Sequence, residues 1–178
     1  MRLLFILLIS INCYSQNFLT SEFGEGIPSD WLGSYKGSME IFGPTGFQQL
    51  VNVQLDIQIM DRENCWSYNM SYLSPQGEVQ NTKAYRIIYD KTNKKLWMDE
   101  GDSLLIEMTL MGNCLFDHYE LSGMFFNSSL CKQEEQLLFE LTGGNTKPTY
   151  SSPYIEEAES VVETMRVSFL QRVILKKQ

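Results

Sequence analysis

The chain has 178 residues, which suits one domain, since domains cluster near roughly 100–150 residues. Hydrophobic residues make up 43% and charged residues 20%, ordinary globular usage that excludes wholesale disorder. Acidic side chains outnumber basic ones by 22 to 14, for a net charge of −8, so a phosphate backbone finds no basic footprint, and a single His excludes a multi-histidine metal site.

Met1-Arg2 gives a short positive start, and Leu3 to Ile11 is almost wholly apolar. Small residues at Cys13 and Ser15 then offer a cleavage site, which is the layout of a secretory signal peptide. The reading is a cleaved signal over 1–15, a flexible segment over 16–27 and one domain over 28–178, exported to a periplasm or to the outside. A lipoprotein anchor through Cys13 is the rival reading, but Ser10-Ile11-Asn12 lack the Leu and small-residue pattern that such processing prefers. No later stretch approaches the 18 apolar residues of a transmembrane helix.

Strands follow one another. Tyr35, Met39 and Ile41 alternate with polar residues, and Val51 to Ile59 alternates strictly, five aliphatic residues against four polar ones. Period two means one buried and one wet face, an antiparallel strand. The rhythm returns in Trp66, Tyr68, Met70 and Tyr72, then in Tyr85, Ile87 and Tyr89. Leu96 and Met98 begin a short strand. Leu104, Ile106, Met108 and Leu110 form a row, as do Leu115, Tyr119 and Leu121, and then Leu137, Phe139 and Leu141. Turn chemistry separates them: Gly43-Pro44-Thr45-Gly46, Ser74-Pro75-Gln76-Gly77, Glu100-Gly101-Asp102, Met111-Gly112-Asn113 and Ser122-Gly123.

Thr142 to Pro153, rich in Gly, Thr, Ser and Pro, reads as a loop. Ser152-Pro153 ahead of Glu156-Glu157 predicts a short helix from about Pro153 to Ser160, followed by a closing strand to Leu175 with Met165 facing inward. That makes nine candidate strands. Cys65, Cys114 and Cys131 remain in the mature chain; export makes one disulfide plausible, with three pairings open, and their spacing fits no zinc pattern.

The fold class is all-β: an up-and-down antiparallel meander of 8–10 strands that closes into a barrel, because closure removes exposed edges. Trp31-Leu32-Gly33-Ser34-Tyr35-Lys36-Gly37 resembles the Leu-Gly-x-Trp-x-Gly opening strand of the calycin superfamily (lipocalins, fatty-acid-binding proteins and nitrobindin-like barrels), with Tyr35 where those proteins often carry Trp. The resemblance implies a calycin-like barrel and a basic residue from the C-terminal strand packed over that aromatic, a part for Arg166 or Arg172. Nitrobindin-like barrels bind haem through a His near the C-terminus; this chain has none there, so no cofactor is carried over.

A barrel of this size holds its side chains plus one small ligand. The inward rows are rich in Met, which adapts to irregular shapes, and in Tyr, whose hydroxyl needs a partner when buried. The expected lining is Tyr35, Met39, Trp66, Tyr68 and Met70, with Tyr85, Tyr89, Met108 and Tyr119. Asp117 joins them by period two, unless a bulge turns it outward; an inward carboxylate needs hydrogen bonds or a cation. The expected function is therefore an exported, non-enzymatic binder of an apolar or aromatic molecule. Its alternative is a protein-interaction or envelope module with a filled core, working through Met124-Phe125-Phe126 and the loop after Thr142. No Ser-His-Asp arrangement, phosphate loop or HExxH is present, and the Glu134-Glu135 and Glu156-Glu157 pairs read as solvated faces.

Overall fold

Alternation over Val51–Ile59 becomes the second part of strand β2 (Gly46–Ile59), whose Val53, Leu55 and Ile57 are fully buried. The computed structural model describes residues 26–153 and 161–178. The export signal, its cleavage point and the Cys13 anchor lie outside the described residues. So does residue segment 154–160, on which most of the predicted helix falls.

Strand β2 pairs with β1 (Gly33–Gly43) and β3 (Cys65–Leu73), and the meander continues through β4 (Val79–Asp90), β5 (Lys95–Asp99) and β6 (Leu105–Met111). It then runs through β7 (Cys114–Leu121), β8 (Met124–Gln133) and β9 (Gln136–Asn145). A small separate hairpin follows, β10 (Tyr150–Pro153) with β11 (Val161–Thr164), before β12 (Val167–Lys177) runs between β9 and β1 and closes the barrel. All pairs are antiparallel. The fold is thus an all-β, ten-stranded closed barrel, and no described residue is α-helical.

The structure corrects the sequence at four places. A tenth barrel strand, β8, lies where Met124-Phe125-Phe126 read as an apolar patch; Phe125 is buried and the Phe126 ring stacks on Tyr119 at 5.0 Å. Thr142–Asn145 is not loop but the end of β9. Its glycines are there for close approach, since a Cβ on Gly143 would stand 2.6 Å from the Phe169 ring and one on Gly144 2.1 Å from the Arg166 carbonyl oxygen. Pro153 is strand where a helix start was expected, Val161–Thr164 belongs to a separate hairpin and not to the closing strand, and Met165 faces solvent. Finally, neither Arg166 nor Arg172 packs over the opening aromatic: Arg172 pairs with Glu140 outside the barrel at 2.6 Å, and Lys177 takes the place over Tyr35.

The two ends differ. A one-turn 3-10 helix, Ser29–Trp31, covers the end where Gly33 and Ile57 meet; Trp31 and Ile27 are buried there, and the Tyr35 hydroxyl donates to the Trp31 carbonyl at 3.0 Å. At the other end the β7–β8 turn, Ser122-Gly123, places both residues at positive φ, the backbone a two-residue hairpin needs. The β10–β11 hairpin leaves from this second end. Cys114 and Cys131, opposite each other on β7 and β8, form a disulfide, which resolves the three open pairings; Cys65 is a buried free thiol. Outer-face ion pairs such as Arg86–Asp99 lie directly across strand pairs.

Candidate functional site

Ten strands enclose a wider interior than eight, and here the side chains leave it partly empty. A cavity of about 130 Å³ lies inside the barrel, displaced toward the end opposite the 3-10 helix. Four methionines reach it, Met39 from β1, Met70 from β3, Met98 from β5 and Met108 from β6. Four tyrosines do as well, Tyr68, Tyr72, Tyr85 and Tyr119. Ile106, Leu115, Leu130, Phe139 and Leu141 complete its apolar wall, while Lys83, Glu100, Asp117, Ser128 and Gln171 supply polar groups. A mostly apolar hollow with a few convergent polar groups has the composition of a small-molecule site.

Seven of the ten residues expected from sequence line this cavity: Met39, Tyr68, Met70, Tyr85, Met108, Asp117 and Tyr119. The other three do not. Tyr35 and Tyr89 are buried in the core, and Trp66 packs against it. Period two reports which face a residue takes, but not how far along the barrel it sits, and these three stand toward the covered end. Trp66 abuts Gly26 so closely that a Cβ there would lie 2.1 Å from its ring. Lys83, Glu100, Ser128 and Gln171 were missed. Glu100 follows β5 in what reads as a turn, and Ser128 belongs to the strand that went unread.

The polar groups interact. Asp117 on β7 lies opposite Ser128 on β8, and the Ser128 hydroxyl donates to Asp117 Oδ2. Asp117 Oδ1 is buried without a partner. Burial raises the Asp117 carboxyl above the usual aspartate range, opposed by hydrogen bonding from Ser128 and by His118. Glu100 is raised too, first by burial, with Lys83 and a hydrogen bond from Tyr85 pulling it back. Burial pushes the Tyr85 and Tyr119 hydroxyls up to about 12 each, and Tyr68 and Tyr72 upward as well, so all four stay protonated donors near neutrality. His118 faces outward, its Nδ1 2.6 Å from Asn127 Oδ1. Among the described residues no group of three or more His, Cys, Asp or Glu is arranged to hold a metal.

No family profile matches the chain, and no curated protein matches it by sequence. Solved structures do resemble it. A protein of unknown function from the DUF3598 family of Nostoc punctiforme superposes with a TM-score of 0.59 at 13% identity, over 88% of this chain and 51% of its own. The chain therefore spans about half the length of that protein. Rv2717c from M. tuberculosis superposes with a TM-score of 0.51 at 10% identity, over 84% of this chain and 94% of its own. The likeness is one of fold.

Proposed function

We propose that this protein is an exported, calycin-like binder that holds a small apolar or aromatic molecule inside its barrel and performs no chemistry on it. The observation that carries the reading is the cavity of about 130 Å³ with its Met and Tyr lining. An engineered apolar cavity of roughly 150 Å³ is known to take up benzene, so one ring or a short branched chain is the right size for the enclosed part of the ligand. Two further features support the setting. A disulfide between Cys114 and Cys131 suits an oxidising compartment, and Lys177 over Tyr35 is the kind of basic-on-aromatic contact that calycin barrels carry.

The alternative, an interaction module, has its own support in the β10–β11 hairpin and the start of β12. Tyr150, Val161, Val162, Met165 and Val167 are all exposed there. Native mass spectrometry of the protein purified from its own host separates the two. The ligand reading expects a reproducible small-molecule adduct that is lost on denaturation. A clean apo mass with a co-purifying protein would instead establish the interaction module.

A further inference from the structure

Asp117 Oδ1 is the only buried side-chain nitrogen or oxygen among the described residues that has no hydrogen-bond partner. Leaving a buried acceptor unpaired costs stability, and more so for a carboxylate than for a neutral group. Replacing Asp117 by an apolar residue would remove that cost, so its presence in the lining of a cavity calls for a partner arriving from outside.

The charge around it narrows the partner's chemistry. The titratable groups acting on or beside Asp117 are Tyr68 on β3, Glu100 after β5, and Tyr119 and His118 on β7. The neighbouring β8 contributes the neutral Ser128 and the facing β6 contributes Met108. Lys83, the cation of the lining, is exposed and acts on Glu100. The lining thus holds two acids and one cation, and that cation acts on Glu100, while the charged neighbour that favours ionised Asp117 is the outward-facing His118. Tyrosine rings around the hollow also offer faces that favour a positive charge.

Building on the reading of the barrel as a binder, we propose that its ligand is a small organic amine. The ammonium pairs with the Asp117 carboxylate, supplying the hydrogen bond that Oδ1 lacks, with Glu100 as a second acceptor. The apolar body, the size of one aromatic ring, lies among the methionines. An anionic ligand is the opposite chemistry, since it would set like charges together in a low-dielectric interior.

The test is calorimetric titration of the purified chain with four probes of one size: benzylamine, benzyl alcohol, toluene and benzoate. Benzylamine is expected to bind about ten-fold or more tighter than benzyl alcohol, as a charge-assisted bond exceeds a neutral one. Asp117→Asn is expected to abolish that advantage, and Glu100→Gln to reduce it by less. An unchanged far-ultraviolet circular dichroism spectrum and a cooperative urea transition show that both variants keep their fold. Preference for benzoate, or an amine advantage that survives in Asp117→Asn, would overturn the inference. Binding of toluene and benzyl alcohol with no amine preference would overturn it and leave the binder reading standing. No saturable binding of any of the four would overturn both.

Discussion

The Lys177 ammonium lies 5.8 Å from the centre of the Tyr35 ring, across the β1–β12 pair that closes the barrel, where Tyr35 and Lys177 stand directly opposite. The same tyrosine donates its hydroxyl to the Trp31 carbonyl at 3.0 Å, tying the covering 3-10 helix to the first strand. One side chain therefore joins the first strand, the last strand and the cover.

From this arrangement the hydroxyl should matter more than the cation. Tyr35→Phe leaves the Trp31 carbonyl without its donor in a buried setting and is expected to cost about 1–2 kcal/mol. Lys177→Met removes an exposed cation–π contact and is expected to cost about 0.5–1 kcal/mol. Urea denaturation of both variants checks the order, which a larger loss in Lys177→Met would reverse.

The disulfide joins neighbouring strands across a sequence separation of 17. Closing a loop of about that size stabilises a protein by roughly 3 kcal/mol in the chain-entropy description. Reduction is expected to lower the urea midpoint accordingly. Peptide mapping without reduction should recover Cys114 linked to Cys131, with Cys65 alkylated only after unfolding. Recovery of Cys65 in a bridge would contradict the pairing.

Asp117 and Glu100 both bind protons more readily in the folded protein than in the unfolded chain. Their contribution to stability is therefore most favourable below the unfolded value of about 4 and is lost as pH rises through their raised folded values. Asp117→Asn removes one of these groups, and with it the charge that burial disfavours, and is expected to raise the stability of the unliganded protein at pH 7. Its advantage should vanish near pH 4. Thermal unfolding of the two proteins from pH 4 to 7 measures this difference, in which the opposite pull of exposed Asp90 and Glu63 cancels. A destabilised variant at pH 7, or a difference that does not grow with pH, would contradict the account.

Most of the barrel was legible because an antiparallel strand with one wet face writes its period into the chain, as Val53, Leu55 and Ile57 show. Strand β8 was not legible. Asn127-Ser128-Ser129 interrupts its alternation because Ser128 turns inward to serve Asp117, so the pattern fails at the site itself. Gly143 and Gly144 hid the end of β9 for a different reason, since close packing and turn chemistry both call for glycine. Tyr35, Trp66 and Tyr89 were placed on the correct face but at the wrong depth, because sequence alone does not say which end of a barrel is covered.

The central claim is that the hollow among the methionines admits a ligand. Methyl NMR of methionine-labelled protein during titration with toluene, and then benzylamine, tests it directly. The account predicts saturable shifts at Met39, Met70, Met98 and Met108, which line the cavity, while the exposed Met60, Met111 and Met165 stay in place. Shifts confined to the exposed methionines, or no movement at any of the inner four, would contradict it.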